Sequence, residues 1–283
     1  ITVPSPVSDA FAIQTFDIDE DGIREAIVYS GDDRIRGLNP DGSINWTFAD
    51  PDGNAYGLEV GDLDNDGYYD DIIATDTAGY VRVLNRTGGL VWSYSPAGPV
   101  YAGLVVGDLD GDGIKDDFAI GNWSGDQIIA FNTSDGQTWE QMYIVDGVAG
   151  GDQPVDLSLG LNDDGYNFIG VATDDYQRCR VFNANNGSFV YESADVGDEA
   201  YDIELIDLDH DGKEDECVIG RSEIVYFIDS EGNTLGSKSE PIDYIFEILV
   251  VDWDEDGYKD DVIVASRGRV TVYNESRNTL YQY

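Results

Sequence analysis

Short runs of apolar residues alternate along the whole chain with clusters of Gly, Asn, Asp and Ser. In one stretch this pattern predicts four strands, at residues 56–61, 71–75, 80–84 and 90–94. The reason is that apolar runs bounded by turn-forming residues are typical of β-strands. No stretch has the apolar spacing of an amphipathic helix. The pattern therefore predicts an all-β chain built from short antiparallel strands.

The same pattern recurs along the sequence. An acidic loop begins at residues 17, 62, 108, 160, 207 and 252, so successive repeats are 45, 46, 52, 47 and 45 residues apart. A second motif recurs at nearly the same spacing. It has a small or apolar residue, then an apolar or aromatic residue, and ends in Asn or Asp, at Asn39, Asn85, Asn132, Asn183, Asp229 and Asn274. Four strands in a repeat of this length are typical of a β-propeller blade. We therefore predict a single six-bladed β-propeller of four-stranded antiparallel blades at residues 9–283, after an N-terminal segment at residues 1–8.

Five of the acidic loops share the sequence D-x-D-x-D-G-x-x-[DE]. Oxygen ligands at alternate positions can converge on one hard cation, and the glycine permits the sharp turn. Ca²⁺ accepts about six to eight oxygens in loose geometry and suits such a loop better than Mg²⁺. An EF-hand needs a carboxylate at position twelve. These loops instead have Val28, Ile73, Ala119, Val218 and Ile263 there. We therefore expect calcium loops that close at position nine, between the first and second strands of each blade.

The loop of the fourth repeat has decayed around Asn162 to Gly165. Gly160 stands where the first Asp is expected, and Phe168 stands at position nine. Neither side chain offers an oxygen ligand, so we expect this loop to hold no metal and the chain to bind about five Ca²⁺ ions.

The repeats resemble the FG-GAP, or VCBS, propeller repeats of integrin α-chain heads and of secreted bacterial and archaeal proteins. The resemblance covers nearly the whole chain and rests on the calcium loop with the glycine and aromatic residues that lead into it. It implies side-chain ligands at positions one, three, five and nine and a backbone carbonyl ligand at position seven. These residues are Asp17, Asp19, Asp21, Ile23 and Glu25; Asp62, Asp64, Asp66, Tyr68 and Asp70; Asp108, Asp110, Asp112, Ile114 and Asp116; Asp207, Asp209, Asp211, Lys213 and Asp215; and Asp252, Asp254, Asp256, Tyr258 and Asp260.

The charge balance restricts the partners. With 58 acidic and 15 basic residues the net charge is −43, which makes nucleic acid a very poor partner. The excess of acid is similar to that of proteins from salty surroundings or archaeal surfaces, and a plain solubility surface is the alternative. No segment approaches the roughly 20 apolar residues of a membrane span. We expect a secreted or cell-surface protein.

Six N-x-[ST] sequons mark glycosylation candidates, at Asn45, Asn85, Asn122, Asn132, Asn186 and Asn274. Chance occurrence in turns is the alternative, because Asn, Ser and Thr are ordinary turn residues.

Cys179 and Cys217 occupy strand positions that are apolar in other repeats, which predicts buried free thiols, with a bridge between the fourth and fifth blades as the alternative. His210, the only histidine, is expected to face solvent as the variable fourth residue of a loop. Trp123 has no equivalent in other repeats, so we expect it to be exposed and a candidate ligand contact.

Two classes of function remain. The first is a non-enzymatic recognition, adhesion or self-assembling module, whose resemblance to integrin heads places a protein or glycan partner on the face opposite the calcium loops. The second is a calcium-dependent polysaccharide lyase or glycoside hydrolase, since carboxylates for acid and base chemistry are abundant. We favour the first because no basic cluster marks a site for an anionic sugar.

Overall fold

A computed structural model of the protein describes residues 12–24, 26–31, 33–49, 53, 55–95, 100, 102–147, 153–161, 167–174, 178–197, 200–239 and 245–283. The segment predicted at residues 1–8 lies outside these ranges. The chain divides into two compact units, Ile1–Ile144 and Val145–Tyr283. Among the described residues, no helix is both long and apolar enough to span a bilayer.

The first unit contains three four-stranded antiparallel sheets, each with its strands in sequence order. The last strand of the third sheet crosses the unit boundary. A short 3-10 turn at Trp123–Gly125 interrupts the third sheet's middle hairpin. The strands are β1 Ala12–Phe16, β2 Ala26–Gly31, β3 Arg34–Leu38 and β4 Ile44–Ala49; β5 Ala55–Gly61, β6 Asp71–Asp76, β7 Val81–Leu84 and β8 Leu90–Tyr94; and β9 Ala102–Gly107, β10 Asp117–Asn122, β11 Gln127–Thr133 and β12 Trp139–Asp146.

The second unit contains three more sheets of the same kind. Their strands are β13 Pro154–Gly160, β14 Phe168–Thr173, β15 Cys179–Asn183 and β16 Phe189–Glu192; β17 Ala200–Ile206, β18 Glu216–Arg221, β19 Ile224–Ile228 and β20 Thr234–Ser239; and β21 Ile245–Val251, β22 Asp261–Ser266, β23 Arg269–Tyr273 and β24 Thr279–Gln282. The prediction of six four-stranded blades is confirmed, and the four strands predicted at residues 56–94 match β5 to β8 within one residue.

Burial follows the order of strands in each blade. Second strands such as β6, β10 and β14 are buried along their whole length, whereas the last strand β24 is exposed throughout. Within each unit, the first strands of consecutive blades lie beside one another. Apolar side chains therefore fill the space between neighbouring blades.

Aromatic and sulfur-containing residues occupy this inter-blade core. Trp92 of the second blade packs edge-on against Phe118 and Phe131 of the third, with ring centroids 6.1 and 5.5 Å apart. In the second unit, Cys179 and Cys217 are fully buried in one apolar cluster and are not bridged, which confirms the prediction of free thiols.

Candidate functional site

Each intact acidic loop is held by its own carboxylates. In the second blade, Asp62 accepts hydrogen bonds from the amides of Asp66 at 2.9 Å and Gly67 at 3.0 Å. Asp66 accepts one from the amide of Tyr68 at 2.9 Å. The position-one carboxylate makes the equivalent contacts in the other four loops, at Asp17, Asp108, Asp207 and Asp252.

Positions four and six of the loops adopt left-handed backbone conformations. The glycine at position six has φ between 87° and 100°. At Gly22, Gly67, Gly113 and Gly257 an added Cβ would meet no atom within 4 Å, so the backbone conformation rather than crowding selects glycine. The turn folds the chain back so that alternate side chains point to one place.

The predicted ligands converge in the first unit. One carboxylate oxygen from each of positions one, three and five lies within 4.8 Å of the other two, in the sets that begin at Asp17, Asp62 and Asp108. In the fifth blade an equally close set consists of Asp207, Asp209 and Glu216. Such sets of hard oxygen donors fit Ca²⁺. Glu25, the predicted closing ligand of the first loop, lies outside the described residues.

Burial and crowding make these carboxylates costly to ionise. Burial, together with the nearby charges of Asp71 and Asp66, raises the pKa of Asp70 to about 7. In the third blade, burial and the charge of Asp112 raise the pKa of Asp116 to about 6. A divalent cation among these oxygens would favour the ionised forms, because an opposite charge lowers a carboxyl pKa.

A further acid, at loop position ten, is hydrogen-bonded to the loop, although the loop motif did not include this position. It is Asp71, Asp117, Glu216 or Asp261 in the second, third, fifth and sixth blades, and at most 4% of any of them is exposed. Asp117 Oδ2 accepts hydrogen bonds from the amides of Leu109 at 2.8 Å and Asp110 at 3.0 Å, the residues at positions two and three. The sequence signal was a second acid directly after position nine.

The strand pairing aligns the fourth loop with the other loops differently from the sequence prediction. Gly160 lies opposite Phe168 in the sheet, as Gly61 lies opposite Asp71 in the second blade. Gly160 therefore precedes position one and Phe168 stands at position ten, so their assignment to positions one and nine was wrong. Residues 161–167 make this loop two residues shorter than the loop at 62–70. Residues 162–166, with the decayed motif, lie outside the described ranges.

The start of the fourth loop contacts the fifth loop directly. Leu161 donates its amide proton to Glu214 Oε2 at 2.9 Å, and its carbonyl oxygen accepts from the Glu214 amide at 2.7 Å. The side chain and the backbone amide of Glu214, in the fifth blade, thus fix the start of the fourth loop.

In the fifth blade, the side chain at loop position four contacts the loop of the next blade. His210 Nε2 lies 2.5 Å from Asp260 Oδ2, and its ring stacks on Tyr258 with centroids 4.0 Å apart. His210 is exposed, as expected, and its ring in addition contacts two residues of the loop in the sixth blade. In the first unit Glu20 occupies the same position, and one of its oxygens lies within 4.8 Å of those of Asp66 and Asp70.

Turns between third and fourth strands lie at the same end of the blade as the loops. The Arg86 guanidinium forms an ion pair with Glu20 and lies 3.9 Å from Asp70 Oδ2. Asn132 Nδ2 donates to Asp110 Oδ2 at 3.4 Å. Both turn residues therefore contact predicted ligands or their neighbours.

The six candidate asparagines for glycosylation differ in how far they are exposed to solvent. Asn122 is 2% exposed, and its side chain bonds to the Gly125 amide and to Gln127, which argues against a glycan there. Asn45 and Asn186 are exposed, whereas Asn85, Asn132 and Asn274 are partly buried. Trp123 is partly buried rather than exposed, so that part of its prediction was wrong.

A second acidic group lies on the first strands of the second unit. Asp156 Oδ2 accepts from the Ile203 amide at 3.2 Å, and Asp202 Oδ2 accepts from the Ile248 amide. Two residues further along the strand, Ser158 Oγ accepts from the Leu205 amide at 2.9 Å and donates to Glu204 Oε2 at 2.7 Å. These side chains join the first strands of neighbouring blades.

Comparison with known proteins supports the fold. No protein-family model matches the sequence, and no curated relative matches it. The solved structure of Sqt1 from Saccharomyces cerevisiae, a β-propeller, superposes with a TM-score of 0.74 and 12% sequence identity, over 97% of this chain and 74% of that one. A likeness at this identity concerns the fold alone. The chain has an all-β fold of the β-propeller class, with six four-stranded blades.

Proposed function

We propose that this chain is a calcium-binding β-propeller of the FG-GAP, or VCBS, type that acts as a non-enzymatic binding module at the cell surface or outside the cell. The observation that carries the proposal is the convergence of the carboxylates at positions one, three and five in consecutive blades. The propeller fold agrees with it, since rigid scaffolds with variable loops commonly serve recognition.

Calcium supplies structural stability in this proposal. The ion would be held by carboxylates of positions one, three, five and nine with the carbonyl of position seven. The same loops contact neighbouring blades: Glu20 and His210 reach the loop of the next blade, and Glu214 contacts the preceding one. Fixing a loop therefore also fixes a contact between blades. The calcium ends of the blades that hold an ion then become rigid.

The partner surface is proposed on the loops at the other end of the blades. We place this surface on the inter-blade connections at residues 49–56, 94–101, 145–155 and 192–201, whose residues 50–52, 96–99, 148–152 and 198–199 lie outside the described ranges. A protein or glycan that carries positive charge, or that binds through bridging cations, suits a chain with a net charge of −43. The alternative to a separate partner is that copies of this chain associate with one another in a surface layer.

Light scattering on a sizing column, with millimolar calcium and then with chelator, tests the role. Calcium-dependent assemblies would support a structural module, and a monomer that captures a glycan or protein in calcium would support recognition. Release of sugar products from a panel of polysaccharides would contradict a non-enzymatic role.

A glycoside hydrolase is the second candidate, favoured by one observation. Burial raises the pKa of Glu204 to about 7, which is the property that a general acid needs. Loss of polysaccharide cleavage in Glu204→Gln, with an unchanged melting temperature, would support this candidate.

A further inference from the structure

Two of the acids at loop position ten have a buried oxygen without a partner. Asp117 and Asp261 are 1% and 0% exposed. In each, Oδ2 accepts hydrogen bonds from the amides of positions two and three, whereas Oδ1 has no hydrogen-bond partner among the described residues. A buried, unsatisfied carboxylate oxygen is costly, so a group that satisfies it is expected.

The unsatisfied oxygens belong to side chains at the edge of the calcium loops. In the fifth blade, the position-ten acid Glu216 has an oxygen within 4.8 Å of those of Asp207 and Asp209, at positions one and three. The position-ten acids are tied to the loop itself, since one oxygen of each accepts a hydrogen bond from the amide of position two, at Leu63, Leu109, Leu208 and Trp253. The loop and this carboxylate are therefore one unit.

The first blade provides an internal comparison. Its position ten is Ala26, which is fully buried and lies opposite Phe16 as Asp117 lies opposite Gly107. Over positions one, three, five, nine and ten, the first loop therefore has one carboxylate fewer than the loops of the second, third, fifth and sixth blades. Calcium affinity in such loops rises with the number of charged ligands.

From these contacts we infer that the acid at position ten contributes one oxygen to the cation in the second, third, fifth and sixth blades, and that the first blade is the weakest calcium site. The inference rests on the proposed binding of calcium by the loops. It assigns two tasks to one side chain: Oδ2 (Oε2 in Glu216) holds the loop backbone, and the second oxygen faces the cation.

Asparagine at this position separates the two tasks. In Asp117→Asn and Asp261→Asn the amide oxygen can still accept from the backbone amides, while an NH₂ group that repels cations replaces the second oxygen. Native mass spectrometry at fixed free calcium counts the ions bound to the full chain, and competition with a fluorescent chelator gives their affinities. Glu223→Gln, which neutralises an exposed acid in a turn outside the loops, is the matched control.

Each single variant should weaken one calcium site by about tenfold or more and leave the others and the control unchanged. The double variant should weaken two sites, and Ala26→Asp, where it folds, should strengthen one. Titrations of both asparagine variants that match the original protein would overturn this inference while leaving the proposed calcium binding intact. An original protein that binds no calcium would overturn both.

Discussion

Asp156 and Asp202, on the first strands of neighbouring blades, hydrogen-bond to each other through their carboxyl groups. Two carboxyl groups can do so only when one of them carries a proton. Each also accepts from a backbone amide of the next blade, at Ile203 and Ile248. These acids thus link the three blades of the second unit, and strands β13, β17 and β21 contain no lysine or arginine that would neutralise them.

The acid pair predicts that stability declines as pH rises. Burial raises the pKa of both Asp156 and Asp202, and it raises that of Glu204 to about 7, with Glu247 also raised beside them. The folded state then keeps protons that the unfolded state releases above its ordinary pKa. The free energy of unfolding should therefore fall from about pH 4.5 to pH 7 and beyond, by up to about 1.4 kcal/mol per pH unit for each of Asp156, Asp202 and Glu204.

Urea denaturation at a series of pH values, in saturating calcium so that the loop acids stay ionised, measures this decline. Asp202→Asn keeps an acceptor for Ile248 and donates to Asp156 without a titrating proton, so its stability should decline less steeply. Glu223→Gln serves as the control. Parallel pH profiles for Asp202→Asn and the original protein would contradict the assignment.

Gly160→Ala should destabilise the protein by about 1–3 kcal/mol. An added Cβ would collide with the carbonyl oxygen of Glu214, a backbone atom of the loop against which this segment is held. Gly236→Ala is the control, because its Cβ would first meet the flexible Arg277 side chain at 3.3 Å. Chemical denaturation of both variants compares the two, and equal stabilities would show that the fourth loop is not held in this way.

The thiols should react only after unfolding. Cys179 and Cys217 are both 0% exposed, and burial raises the pKa of the Cys179 thiol, so the reactive thiolate is disfavoured. A thiol-specific chromogenic reagent should find no reactive group in the native protein and two in denaturant without reductant. Rapid native reaction would contradict the burial, and no reaction in denaturant would reveal a bridge.

The repeat spacing and the five loops were readable from sequence because each is local. Asp62, Asp66 and Gly67 fold one loop through contacts within six residues of one another, so the motif carries its own geometry. The contacts of His210 with Asp260 and of Asp202 with Ile248 join positions 50 and 46 residues apart. Such contacts depend on how neighbouring blades pack, which the spacing of a single repeat does not specify.

The alignment of the fourth loop was missed for a related reason. Its two-residue deletion became visible only through the pairing of Gly160 with Phe168. The acid at position ten was overlooked because it directly follows a residue already assigned as the closing ligand. Its hydrogen bonds to positions two and three, as Asp117 makes to Leu109 and Asp110, show its place in the loop.

Thermal unfolding by calorimetry, with about 10 mM calcium and with an excess of chelator, tests the central claim most directly. Each site at about 100 times its dissociation constant stabilises the folded state by about 2.7 kcal/mol, so several sites together rival a typical total stability of about 5–15 kcal/mol. We predict a melting temperature that falls strongly in chelator and recovers when calcium is restored. Superimposable melting curves in calcium and in chelator would contradict the proposal that these loops hold structural calcium.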